Sequence, residues 1–160
     1  MDLYEVLSPD ELSGIYQLVP DSSIESLSLQ RLWCLMDRVW DEMGCDNNSV
    51  DPEKLKKYYQ HPIWLLNGLF AECHDLSLQH RHAISDWVAK KQPERVLDFG
   101  GGFGTLARMI VDRHPEAVVD IYEPFPSQAA QKLCRNYSSI NFVSSLSAEY
   151  DCLVSTDVLE

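Results

Sequence analysis

The spacing of apolar positions divides the chain into two regimes. Up to residue 92 they recur at helical intervals, and beyond Pro93 short apolar runs alternate with helical ones. Ser8-Pro9-Asp10-Glu11 predicts a helix start: the serine caps, the proline takes the first helical position, and Glu11 stands three after the cap. This helix runs to about Val19 and is weakened by Gly14. Ser22 and Glu25 repeat the capping-box spacing. Leu29, Leu32, Trp33, Met36, Val39, Trp40 and Met43 then share one helical face that ends at Gly44, predicting a long amphipathic helix with two inward tryptophans. After the polar loop at 46–49, Asp51-Pro52-Glu53 opens a helix solvated on Lys54, Lys56 and Lys57 and broken at His61-Pro62. Residues 63–73 are strongly apolar. A last helix from about Leu76 to Lys91 turns Ile84, Trp87 and Val88 inward.

In the second regime, strands are expected at about 95–99, 117–122, 140–143 and 151–155, with helices at about 103–113 and 126–137. Phe103, Leu106, Ala107, Ile110 and Val111 point inward on the first of these helices. Such alternation with short links predicts an α/β architecture, a parallel sheet covered on both faces. The expected organisation is a helical extension over 1–92 and a partial Rossmann-like domain over 93–160. Only about seven residues join strands three and four, whereas parallel crossovers usually take about a dozen or more. An extended link just reaches across two strands and leaves no room for a helix there.

The 160 residues suffice for one domain with a real core. A net charge of −12 argues against a phosphate-tracking surface, so no nucleic-acid partner is expected. The five cysteines are scattered without a CxxC pair and read as reduced, mostly buried thiols of a cytoplasmic protein. The amino terminus lacks the basic region of a signal peptide, and no apolar run approaches ~20 residues, so no membrane span is expected. His80 and His82 diverge on a helix, and no tight four-ligand set accompanies them or Cys73-His74, so no metal site is expected. Trp33, Trp40, Trp64 and Trp87 fall on apolar faces and read as core.

The chemistry concentrates in Asp98-Phe99-Gly100-Gly101-Gly102-Phe103-Gly104, at the end of the first strand. Glycine lets backbone turn sharply and approach a ligand closely. Two ligand classes use such a turn. A dinucleotide sets its pyrophosphate on the following helix N-terminus, and Gly102-x-Gly104-x-x-Ala107 satisfies that loose pattern. A cationic ligand favours a carboxylate beside the loop. Asp98 supplies one, and it stands too early in the sequence to cap the helix.

Asp98-x-Gly100-x-Gly102-x-Gly104 resembles the first motif of class I S-adenosylmethionine-dependent methyltransferases. Asp120-Ile121-Tyr122-Glu123-Pro124 resembles their second acidic site, and residues 150–160 resemble the fourth-strand segment of their small-molecule branch. The resemblance covers residues 95–160. It implies S-adenosylmethionine as cofactor and a small-molecule acceptor. Gly100, Gly101, Gly102 and Gly104 would lie along the methionine half, and Asp98 would face its ammonium side. Glu123, followed by Pro124, would accept hydrogen bonds from the ribose hydroxyls. Ser144 and Ser145 stand where the family often has an acidic or amide residue near the adenine. Asp157 and Glu160 match the fourth-strand motif and are the candidates for the methyl-transfer mouth.

The family sheet has seven strands ordered 3-2-1-4-5-7-6, of which four are accounted for. The chain is therefore expected to be an amino-terminal part, or to have its sheet completed by another chain or a second copy. The helical segment would serve as a cap over the cofactor. A nicotinamide-dependent oxidoreductase is the competing reading, with Asp98 against it. A third is a non-catalytic partner whose sheet docks on another chain.

Overall fold

The computed structural model describes residues 3–20, 24–146 and 149–156. Two compact units divide between His74 and Asp75. The expected boundary at 92 is thus displaced, because the helix over Asp75–Lys91 packs with the sheet: its Val88 shares a core with Val96, Leu106 and Val154.

The first unit contains α1 (Pro9–Leu18), α2 (Leu29–Glu42), α3 (Pro52–Tyr59) and α4 (Pro62–Cys73). Ser8 and Glu11 form the reciprocal capping box that the sequence predicts. α4 is the central helix and buries Ile63, Leu65, Leu66, Leu69 and Phe70. Gly14 lets α1 approach it, since a Cβ there would stand 2.7 Å from Pro62 Cγ. The second helix begins later than expected. A 3-10 turn spans Ile24–Ser26, and Ser28, in extended conformation, caps α2 by accepting the Arg31 N–H; Ser22 lies outside the described residues. The inward line of α2 is Leu32, Leu35 and Val39, and Trp33 is 57% exposed. Trp87 on α5 is likewise 51% exposed, so two of the four tryptophans are not core. Among the cysteines only Cys134 is buried, against the expectation for the set.

The second unit runs α5 (Asp75–Lys91), β1 (Arg95–Phe99), α6 (Thr105–Arg113), β2 (Val118–Tyr122), α7 (Gln128–Cys134), β3 (Ile140–Val143) and β4 (Cys152–Val154). The four strands form one parallel sheet of order β3-β2-β1-β4, with Val96 opposite both Val119 and Cys152. Only residues 144–151 separate β3 at one edge of this order from β4 at the other. Side chains from α5, α6 and α7 pack with Val96, Val119, Ile121, Ile140 and Val154, which share one face of the sheet by the strand period of two. Among the described residues the helices of this unit pack on one face of the sheet, not both, and residues 144–151 are too few to carry a helix across to the other.

A polar cluster on the second face ties the strands together. Buried Asp120 on β2 accepts hydrogen bonds from Arg95 Nη2 at 2.6 Å, Asn141 Nδ2 at 2.9 Å and Tyr150 Oη at 3.1 Å. Burial would raise its carboxyl, but these donors outweigh it and hold the group below its ordinary range. Its contribution to stability is therefore present above the unfolded-state value and lost as the pH falls through the lower folded value. Tyr150 anchors the crossing segment, so Tyr150→Phe is expected to cost about 1 kcal/mol in chemical denaturation near neutral pH. Unchanged stability would show that the crossing is held by other contacts.

Candidate cofactor site

The site forms at the carboxyl ends of β1 and β2, where open α/β sheets bind ligands. Gly100 donates its N–H to Tyr122 O at 2.8 Å, which splices the loop onto the end of β2. Gly100, Gly102 and Gly104 all have positive φ, at 73°, 52° and 70°. In that region L side chains are strained, so the sequence spends glycines where the backbone requires them. Gly104 is the N-cap of α6 and has no side chain to cap with.

Asp98 fills that role from the strand. Its side chain is 1% exposed and accepts the Ala107 backbone N–H in the first turn of α6. The expectation that it stands too early to reach the helix held along the sequence only; the loop doubles back and brings the helix start over the strand end. Its Oδ2 has no hydrogen-bond partner. Gly101 lies directly on this carboxyl: a Cβ at Gly101 would be 2.6 Å from Asp98 Oδ2. Burial pushes the Asp98 carboxyl up to about 7, with Arg81 drawing it down and Glu123 pushing it further up.

Glu123 follows β2 and is partly buried. Its Oε1 accepts the Phe125 N–H at 3.2 Å, and the carboxylate also accepts the Gly102 N–H. Burial raises this carboxyl as well, against those two backbone donors. Asp98 and Glu123 thus bracket the glycine loop with two carboxyls whose charge burial opposes. Gly102 has open space where its Cβ would point, the nearest atom being Gly100 O at 4.0 Å. An orphaned buried carboxyl oxygen beneath a glycine loop, with open space at Gly102 beside it, suits a ligand that carries positive charge.

The structure therefore brings Asp98, Gly100, Gly101, Gly102, Gly104 and Glu123 together. Pro124 is exposed beside Glu123, and Ser144 and Ser145 are exposed just past β3. Asp157 and Glu160 lie outside the described residues. Among the described residues no group of three or more His, Cys, Asp or Glu is placed to hold a metal ion, and no helix is long and apolar enough to cross a membrane. Arg81 was not among the sequence candidates. Its signal was its place at i, i+4 and i+7 with Ser85 and Val88, both fully buried.

Comparison with solved structures decides the architecture. The chain superimposes on an O-methyltransferase family protein from Burkholderia thailandensis with a TM-score of 0.50 and 18% identity, covering 57% of this chain and 31% of that one. It superimposes on the mitomycin 7-O-methyltransferase MmcR with a TM-score of 0.51 and 16% identity over 99% of this chain and 49% of that one. The fold is that of the O-methyltransferases. Within this methyltransferase fold, the described sheet corresponds to the expected 3-2-1-4 half. The superimposed part covers less than half of either structure's length. No protein-family model matches it, and no curated protein does.

Proposed function

We propose that the chain binds S-adenosylmethionine in the glycine loop and serves methyl transfer to a small-molecule acceptor. The observation that carries this reading is the buried Asp98 carboxyl with its unpartnered Oδ2 beneath Gly101. Ionised, it gives the loop a negative field that favours an ammonium or sulfonium and opposes a pyrophosphate. Bound there, S-adenosylmethionine would supply an electrophilic methyl on a sulfonium whose leaving group is a neutral thioether. In this reading Gly102 would leave room for the methionine half, and Glu123 would exchange its backbone donors for the ribose hydroxyls. The O-methyltransferase fold supports the same assignment. Holding the two reactants in line and dry supplies up to about 7–11 kcal/mol of barrier reduction in well-oriented cases.

Calorimetric titration with S-adenosylmethionine and with NADP tests the reading, and tighter binding of the dinucleotide would defeat it. Gly102→Ala sharpens the test. Its Cβ meets open space, so the stability cost is only the left-handed strain of about 1–2 kcal/mol. The same Cβ would occupy the space proposed for the cofactor, and S-adenosylmethionine affinity is expected to fall by about tenfold or more, roughly the free energy of one mispacked group. Undiminished affinity would place the ligand elsewhere.

A further inference from the structure

Arg81 lies outside the motifs, yet its position in the fold is specific. On α5 it shares a stripe with Ser85 and Val88 at i, i+4 and i+7. Ser85 and Val88 are 0% exposed, and Val88 packs in the same core as Val96 of β1. Residues 92–94 are the whole link from α5 into β1, and Val88 before it and Val96 after it share one core, so the chain reverses direction between the two. Going back along α5 from Val88 to Arg81 covers about 10 Å of helix. Going forward from Val96 to Asp98, on the same face of β1, covers about 7 Å. The two residues therefore meet at the same end of the unit. Arg81 Nη1 donates to Ser77 O at 3.1 Å, which fixes the guanidinium along its own helix.

The charges that bear on Asp98 come from two elements: Arg81 on α5 draws its proton off, and Glu123 beyond β2 resists ionisation. α6 contributes the Ala107 N–H, and the strand neighbours Ile121 and Val154 contribute no charge. No hydrogen bond joins Arg81 to Asp98 Oδ2. The cation thus acts through space and leaves that oxygen without a hydrogen-bond partner.

We propose that Arg81 is a positioning residue of the cofactor site: its guanidinium is the counter-charge that lets buried Asp98 ionise while leaving Oδ2 free for a cationic ligand. The inference rests on the methyl-donor reading for its purpose, but not for its electrostatics, so the two are tested separately. The Asp98 carboxyl is followed by 13C NMR in the full chain without ligand, assigned through Asp98→Asn. Its midpoint near 7 is expected to rise by roughly one pH unit in Arg81→Met and to stay close to wild type in Arg81→Lys. Affinity for S-adenosylmethionine in Arg81→Met is expected to fall about fivefold at pH 7 and to come within about 1.5-fold of wild type at pH 8.5. A merely structural role would weaken binding equally at both pH values.

An unmoved midpoint in Arg81→Met overturns the inference, as does a pH-independent loss of affinity. A midpoint that moves in a protein that binds no S-adenosylmethionine upholds the charge coupling and defeats the methyl-donor reading. Should Arg81→Met fail to fold, the double variant with Asp98→Asn is expected to fold, since the carboxylate that lacks its counter-charge is gone. Failure of that double variant overturns the inference too.

Discussion

Asp98→Asn is expected to stabilise the protein at pH 8 while removing most of its affinity for S-adenosylmethionine. The buried carboxyl titrates near 7 in the folded chain against an ordinary value of 3.8. A raised folded value means that stability is fully present below about pH 4. It declines as the unfolded chain ionises ahead of the folded one, and it is lost once the pH passes about 7. The shift corresponds to about 4 kcal/mol as an order of magnitude. Asparagine escapes that penalty and keeps an oxygen for the Ala107 N–H, but it places an amide where Oδ2 has no partner, at about 1–3 kcal/mol. The net gain at pH 8 is therefore about 1–3 kcal/mol, vanishing or reversing near pH 4. The binding side has the opposite sign: loss of a charged partner is expected to weaken S-adenosylmethionine about 10- to 100-fold. Thermal melts from pH 4 to 8 together with calorimetry read both effects. A variant that is less stable at every pH would mean that Asp98 is structural, and unchanged affinity would sever it from the ligand.

Gly104→Ala should be the most damaging small substitution in the loop. The residue holds φ at 70°, where an alanine costs about 1–2 kcal/mol. The added Cβ would stand 2.5 Å from Cys134 Sγ and 3.0 Å from Ile121 Cδ1, both on buried side chains. Overpacking of that kind costs about 1–3 kcal/mol more. The sum is about 3 kcal/mol, enough to lower Tm by about 10 °C. Cys134→Ala in the same chain removes the sulfur and is expected to recover the steric share but not the backbone share. Wild-type stability in Gly104→Ala would mean that α6 can shift its start without loss. The contrast with Gly102→Ala is diagnostic, because the added methyl meets packed side chains at Gly104 and open space at Gly102.

Much of the second unit was legible because its signals are local. β1 and β3 fall where the apolar runs end, and the Asp98 to Gly104 stretch marks its own turn. Errors arose where a helix was longer by pattern than by backbone. The apolar face assigned to the second helix contained the buried Leu32 and Val39 but missed Leu35 and included the exposed Trp33, because the period alone does not fix which edge of an apolar stripe meets a partner. Trp87 erred for the same reason, one position from buried Val88. The domain boundary at 92 followed the change of pattern, whereas compactness follows packing, and α5 packs with the sheet.

By itself the sequence determined the elements of the sheet unit, their parallel order and the glycine turn with its acidic neighbours. Periodicity, caps and backbone-permissive residues act over a few positions and need no knowledge of the rest of the chain. Only the tertiary structure decided that Asp98 caps α6 from a strand, that its second oxygen is left without a partner, and that the charge of Arg81 on α5 bears on it. Burial and charge act through space across elements far apart in the chain, and a one-dimensional pattern does not carry those distances.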